Sequence, residues 1–452
     1  AGSEVANDAL VWISVASSAG AVALLYLFAT DLWSRRMALA AAAMLAASPL
    51  FWFYGEIALP HTLDAMLVIA GVWLLARLRR GRATLVPVLT GPWDAAMAIA
   101  VLPAVAVLAL AGGVRPQTLV FLLPLALWAL WPLGWRAILV AAIAGALLCL
   151  LWLAPLLASA GGLAPYLTKT STYLARFEAD TSLLRGAGLA GLMRNTRKLT
   201  IYTAYALIPA LPALLALPRA VRRPQRAAPL PWTLFTLWAA PALLFYALIH
   251  MGQQGLIFIY LPVAILIAAW LLNAAAGPRR AAFAAATIAA VVLGVGVFLF
   301  APEYPMGPTG QRLLTREAIA RSDRYYHERL EAVRAGVSSG EVVLVGVNWA
   351  HLEYYLPEYA LLRMDRGADG RLAPRGWPGP AAPMPTDVRR VTAGRDRIAL
   401  LFVDPETFPF APDPATTRRI ALPTTGEMLL WVTPLDVLTE PPTPIGIAGG
   451  QR

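Results

Sequence analysis

The segment Phe51-Trp52-Phe53-Tyr54-Gly55-Glu56-Ile57-Ala58-Leu59-Pro60-His61-Thr62-Leu63-Asp64 places two acids and a histidine beside an aromatic cluster, between long apolar runs. A carboxylate there can serve as a base towards an incoming hydroxyl or amine. Pro60 suits the first turn of a helix, where its missing N–H costs nothing, so Glu56 is left on a loop and His61 and Asp64 fall one turn apart on a shared face. A charge at membrane depth costs on the order of 2.5–3.5 kcal/mol or more, and an acid about one turn inside a membrane helix is therefore a functional candidate. Glu56 and Asp64 are the candidate catalytic carboxylates, with His61 and Tyr54 as candidate substrate ligands. The plainer alternatives are a solvated interface residue for Glu56, a helix-packing or helix-dipole partner for Asp64, and a histidine that meets water or headgroups. Trp52, Phe53 and Tyr54 read as an interfacial belt whose rings can also stack on a sugar.

Two further turns carry polar groups. In Ala111-Gly112-Gly113-Val114-Arg115-Pro116-Gln117-Thr118 the glycines permit close backbone approach, and the planar fork of Arg115 suits two phosphate oxygens at once, with Gln117 alongside. Snorkelling of Arg115 to the interface is the alternative. His250-Met251-Gly252-Gln253-Gln254-Gly255 offers His250, Gln253 and Gln254 to a phosphate or hydroxyl, or is simply a polar hairpin. Tyr166, Lys169, Tyr173 and Arg176 fall in a long connection over 159–198, which invites a role in covering an acceptor. Asp94 reads as a helix cap. His351 to Glu358 shows neither metal-ligand spacing nor a nucleophile triad.

The elements that must position these residues are apolar helices. Of 452 residues 59% are hydrophobic and 14% charged, far from the balance of a soluble domain. Runs long enough to cross about 30 Å of hydrocarbon occur near 9–29, 37–54, 60–77, 92–112, 118–134, 137–158, 199–218, 232–250, 255–275 and 281–301. They lack the alternation of barrel strands, so an all-α polytopic membrane protein of about ten helices is expected over 1–301. Residues 302–440 have the composition of a soluble domain, with a helix over 311–335, strands at 341–347, 397–404 and 427–434, and turns such as 367–385. A small α/β domain follows from that pattern, and 441–452 reads as a disordered tail.

The net charge of +11 comes from arginines clustered between apolar runs, which excludes nucleic acid as the partner and fits cytoplasmic loops of a protein whose partner is membrane lipid. Arg35, Arg36, Arg77, Arg79, Arg80, Arg136, Arg219, Arg222, Arg279 and Arg280 fall on alternate connections. The loops near 51–60, 112–118, 159–198 and 250–255 then face outward, as do the N-terminus and the C-terminal domain. A multi-pass protein of the cytoplasmic (inner) membrane with an extracytoplasmic C-terminal domain is expected. An outward N-terminus without a leader points to one helix upstream of Ala1. The single cysteine, Cys149, excludes a disulfide framework within the chain.

On the helix ending Ser48-Pro49-Leu50-Phe51-Trp52-Phe53-Tyr54-Gly55-Glu56, on Leu63-Asp64, on the Gly-Gly-Val-Arg turn at 112–115 and on 250–255, the sequence resembles the GT-C membrane glycosyltransferases, which include bacterial aminoarabinose transferases and protein O-mannosyltransferases. The likeness covers roughly 9–300. It implies an enzyme that moves a sugar from a polyprenyl-phosphate donor to an acceptor on the outer face, the acceptor itself unspecified. Glu56 or Asp64 would assist the acceptor, and Arg115 with His250 would hold the lipid phosphate. The resemblance leaves a divalent metal requirement open. The family's principal catalytic aspartate lies in the first outward loop, ahead of the first residue present, so the chain is expected to be either part of a longer active enzyme or an inactive relative, and the outward N-terminus favours the first. A transporter or flippase of lipid-linked sugars is the alternative, then a structural or assembly protein; the chain shows no pair of broken helices in two matching halves of the kind that marks a transporter.

Overall fold

The structure, a computed structural model, describes residues 2–85, 93–222, 229–303, 312–340, 342–346, 349–362, 364–366, 372–374, 386–394, 397–402 and 417–434. Thirteen helices precede the C-terminal region among these residues: α1 (Gly2–Leu32), α2 (Arg35–Ala46), α3 (Pro49–Gly55), α4 (His61–Leu85), α5 (Trp93–Val114), α6 (Pro116–Leu130), α7 (Trp135–Ala160), α8 (Leu163–Thr181), α9 (Gly188–Ala206), α10 (Leu211–Val221), α11 (Trp232–Leu248), α12 (Leu261–Ala276) and α13 (Arg280–Phe300). Among the described residues, five segments are long and apolar enough to cross a membrane: Ala6–Leu32, His61–Gly81, Pro116–Leu133, Trp135–Ala160 and Arg280–Phe300. The pairs α2 with α3 and α9 with α10 are apolar enough together but bent by 64° and 65°, which makes seven spans if each pair is counted as one, and Ala100–Val114, Trp232–Leu248 and Leu261–Ala276 are shorter apolar helices. Each of the ten expected apolar runs is helical, but among the described residues five to seven are long enough to cross a membrane and three are shorter than expected; the chain is a polytopic helical membrane protein with a small C-terminal α/β domain.

The bends have local causes. Pro49 at the start of α3 keeps Ser48 extended (φ −66°, ψ 117°), which ends α2 two residues earlier. The Ser48 hydroxyl donates to the Ala206 carbonyl at 2.8 Å, at the break between α9 and α10. Gly294 of α13 lies against both breaks, since a Cβ there would come within 2.1 Å of the Ala47 carbonyl oxygen and 2.7 Å of Pro209. In contrast α7 turns Leu147 and Leu151, 61% and 73% exposed, away from the bundle; lipid is the environment that accepts such a surface.

One end of the bundle is tied by arginines. Arg36 donates to the carbonyls of Gly277 and Arg279 and stacks on Phe283, Arg79 donates to the Trp128 carbonyl, and Arg77 pairs with Asp31 at 3.4 Å. The turns joining α3 to α4, α5 to α6 and α11 to α12 lie at the other end.

Two expectations need correction. The connection expected over 159–198 is largely helical, because Gly161 and Gly162, both at positive φ, end α7 and lead into the amphipathic α8, while α9 starts at Gly188 and not near 199. In the C-terminal region the expected strands are joined by others with weaker patterns. After α14 (Arg316–Gly336) come β1 (Val342–Gly346), α15 (Trp349–Tyr355), β2 (Ala360–Leu361), β3 (Met364–Arg366), β4 (Leu372–Pro374), α16 (Thr386–Thr392), β5 (Arg397–Phe402), β6 (Thr417–Leu422) and β7 (Gly426–Pro434). The main sheet has the order β2-β1-β5-β7-β6, with β1 parallel to β2 and β5, and β7 antiparallel to β5 and β6. Its core holds Val333, Leu356, Tyr359, Leu422, Met428 and Leu430. The chain divides into compact units Asn7–Ala318 and Ile319–Arg452 with Ala1–Ala6, where the sequence reading places the change at 301–302. The tail 441–452 and the side chain of Asp94 lie outside the described residues.

Candidate functional site

At the end of the bundle away from the arginine ties, α4 begins at His61. Pro60 stands just before the helix and not in its first turn, and its carbonyl accepts the first intrahelical bond from Asp64 N–H at 2.9 Å. That start sends His61 and Asp64 to different neighbours, although they are one turn apart.

Asp64, 2% exposed, faces α6 and α11. Its Oδ2 receives Arg115 Nη1 at 3.2 Å and its Oδ1 receives the Thr118 hydroxyl at 2.9 Å. Arg115 is 9% exposed and gives Nη2 to the Tyr246 hydroxyl at 3.4 Å. Its place is fixed by the sequence: Pro116 starts α6, Arg115 is held extended as that helix's N-cap residue, and its N–H still closes the last turn of α5 on Ala111. A buried cation of this kind requires a carboxylate partner and further hydrogen bonds; Asp64 and Tyr246 receive Arg115, and Thr118 satisfies the second oxygen of Asp64.

His61, 4% exposed, faces the turn at 250–255. Its Nε2 lies 2.7 Å from Gln253 Oε1, so Nε2 donates and Nδ1 is left with a lone pair, buried and without a partner among the described residues. Tyr54 meets the His61 ring edge-on at 4.9 Å and Phe258 at 5.4 Å. Gly255 is required here, because a Cβ would approach His61 Cγ to 2.6 Å. Gln254 turns away from His61 and donates Nε2 to the Arg312 carbonyl at 3.2 Å.

His250 Nδ1 lies 3.0 Å from the Thr181 hydroxyl. Burial holds its pKa below the ordinary 6.5, and Lys198 adds to the effect. Behind it Asn195, fully buried, donates to the carbonyls of Thr181 and Ala247 and accepts from Met251 N–H, so that one amide fastens α8, the end of α11 and the 250–255 turn together.

The structure thus joins Asp64 with Arg115, and His61 with Tyr54 and Gln253. Glu56 stands apart: it is the exposed C-cap residue of α3, and no hydrogen bond or ion pair among the described residues joins it to Asp64 or Arg115. Gln117 is half-buried next to Thr118, a position that faces about 100° away on the helix, outside the Asp64 network. Lys169 donates to the Ala160 carbonyl from α8, and the side chain of Arg176 lies outside the described residues. Sequence reasoning misses Thr118, Tyr246, Thr181 and Asn195. Thr118 and Tyr246 are neutral polar residues within apolar runs, Thr181 and Asn195 lie in the connection over 159–198, and only their partners in space mark them. No group of three or more His, Cys, Asp or Glu side chains that could hold a metal occurs among the described residues.

A second feature is apolar. A cavity of about 180 Å³ between α4, α5, α6 and α7 is lined by residues including Leu75, Val105, Ala109, Leu119, Ile138 and Cys149. Ala109 and Leu119 flank the turn that carries Arg115.

No family model and no curated protein matches the chain. Among solved structures it is similar to ArnT from Cupriavidus metallidurans, in the apo state at 13% identity and bound to undecaprenyl phosphate at 12%, each with a TM-score of 0.53 over 93% of this chain and 83% of that one. The likeness is one of fold. It extends over the membrane bundle and beyond, since 93% of the chain reaches past the spans into the C-terminal domain.

Proposed function

We propose that the protein is a membrane glycosyltransferase of the GT-C type, taking a sugar from a polyprenyl-phosphate donor and passing it to an acceptor at the extracytoplasmic face of the cytoplasmic membrane. The observation that carries this reading is the buried Arg115, held by Asp64 and Tyr246 at one end of a bundle whose fold is that of ArnT, a GT-C glycosyltransferase one structure of which holds undecaprenyl phosphate. A guanidinium keeps donors free on its fork beyond those given to Asp64 and Tyr246, and these suit the oxygens of a lipid phosphate. The apolar cavity beside the same turn suits a hydrocarbon chain. The arginine ties at the opposite end favour placing that end in the cytoplasm and this one, with the C-terminal domain, outside.

In this reading the reaction is a displacement at the anomeric carbon. The acceptor attacks as its proton passes to a carboxylate, and the negative charge that develops on the departing phosphate is taken up by Arg115. Asp64, with both oxygens engaged, orients Arg115. Glu56, exposed at the mouth, is the carboxylate free to take the proton. His61 and Gln253 line the sugar's side, and His250 supports the phosphate.

The test uses the full chain in lipid with a polyprenyl-phosphate sugar and undecaprenyl phosphate. Arg115→Ala should weaken binding of undecaprenyl phosphate by roughly tenfold to a hundredfold, the loss expected of a charge-assisted pair. Glu56→Gln should abolish transfer and leave that binding intact. Unchanged lipid-phosphate affinity in Arg115→Ala would overturn the assignment, and donor binding by a wild type that never transfers sugar would favour a carrier of lipid-linked sugars.

A further inference from the structure

Residues 312–315, just ahead of α14, are bound to the bundle at several points. The Arg312 carbonyl accepts from Gln254 Nε2 at 3.2 Å and the Leu314 carbonyl from the Tyr205 hydroxyl at 2.8 Å. Leu313 and Leu314 pack on the bundle core, Arg312 pairs with Glu303 at 3.6 Å, and Thr315 is fully buried. Residues 313–315 belong to neither a helix nor a strand, so contacts of this kind tie them to the bundle.

One attachment leads directly to the site. Gln254 belongs to the turn in which Gln253 bonds His61 and Gly255 packs against its ring. The Gln254 side chain is 8% exposed, and its Oε1 is buried without a partner among the described residues, so the bond to Arg312 is what orients the amide. Losing it would leave a second buried polar group unsatisfied, and the turn has reason to move with the segment. We propose that 312–315 is a positioning strap: through Gln254 it fixes the 253–255 turn and the ring of His61, which makes Gln254 a positioning residue and couples the segment that leads into the C-terminal domain to the chemistry. The consequence for turnover rests on the glycosyltransferase reading, whereas the mechanical coupling does not.

Hydrogen–deuterium exchange on the full chain in lipid nanodiscs tests the coupling without an activity. Leu314→Ala loosens the strap's packing on the bundle and leaves Gln254 and its turn unaltered, and should speed exchange roughly two- to tenfold both at 312–315 and at 251–257, the change expected when one anchoring contact opens a local unit. Gln254→Leu should speed exchange at 312–315 in return. Where Leu314→Ala yields too little folded protein, Tyr205→Phe removes only the hydroxyl and serves the same purpose. Faster exchange confined to 312–315 would overturn the proposal. With a sugar donor, Leu314→Ala should lower kcat/KM for the donor, and coupled exchange with wild-type kcat/KM would overturn the positioning role. A wild type without transferase activity would remove the proposed function while the exchange result still decides the strap.

Discussion

Replacing Asp64 by leucine removes the acceptor of two hydrogen bonds, one from Arg115 at 3.2 Å and one from Thr118 at 2.9 Å, at a position 2% exposed. Among the described residues, Arg115 is then left as a buried cation with the long contact to Tyr246 as its remaining side-chain hydrogen bond. Breaking a buried pair from one side costs about 3–5 kcal/mol, which lowers the ratio of folded to unfolded protein by roughly two to three and a half orders of magnitude. Arg115→Met leaves Asp64 as an uncompensated buried anion and should cost a similar amount. The double variant Asp64→Leu/Arg115→Met has no stranded charge, Thr118 can return its hydroxyl to a carbonyl in its own helix, and stability should come back to within about 1 kcal/mol of the wild type. Unfolding in mixed micelles of rising SDS content, followed by pulse proteolysis, measures all four proteins of the cycle. Single variants that each lose under about 1 kcal/mol, with no recovery in the double, would mean that both side chains are hydrated in the folded protein. The buried pair would then be refuted, and with it the dry, oriented cation on which the proposed function depends.

Gly255→Ala places a Cβ 2.6 Å from His61 Cγ and 2.8 Å from Cδ2, too close for either to remain in place. The ring must withdraw from Gln253, and donor turnover should fall by at least about tenfold while expression in the membrane is retained; turnover within twofold of wild type would remove His61 from the site. In the C-terminal domain, Glu328 accepts four hydrogen bonds from Thr424 and Thr425, which hold its pKa at about 2 against an ordinary 4.5. Because the folded value is the lower one, this stabilisation is complete above 4.5 and lost as the pH falls from 4.5 towards 2. Glu328→Gln should flatten the acid limb of the domain's melting profile over that window, and an unchanged limb would show that the carboxylate is solvated.

Much of the architecture is legible in the residues because lipid imposes one rule, that a spanning backbone must bond to itself, and the apolar runs record it. The bends at Ser48 and Leu207 are less legible. Pro49 announces the first, but the second is paired with it through the Ala206 carbonyl and Gly294, contacts between residues far apart in sequence. The same holds at the site. Asp64 and Arg115 stand out since charge is expensive where they are, yet their partnership rests on the packing of α4 against α6. Glu56 stands out by the same reasoning and is found exposed at the end of α3. Asn195 gives no sign at all, being set between Arg194 and Arg197 in a stretch that reads as surface, and is fully buried with its amide satisfied by three backbone groups. Strands β2, β3 and β4 are too short to set up an alternating pattern, and β6 begins with Thr417-Arg418-Arg419, which masks one.

The Asp64–Arg115 pair also bears on how a phosphate would be recognised under the proposed reading. A lone guanidinium waiting near the membrane surface would draw water and headgroups to itself, and burying it alone would unfold its surroundings. Asp64 solves the resting state by supplying countercharge at one edge of the fork, but the same carboxylate repels an arriving phosphate. The two demands are compatible only because the guanidinium has five donors in a fixed plane, so Asp64 can keep Nη1 while the edge turned towards Tyr246, whose contact is long at 3.4 Å, is the one that exchanges partners. A lysine at 115 would offer one point charge to both anions and lose that division. Under the proposed reading, charge balance and phosphate binding therefore draw on different nitrogens of one side chain, Nη1 for Asp64 and Nη2 for the exchangeable partner.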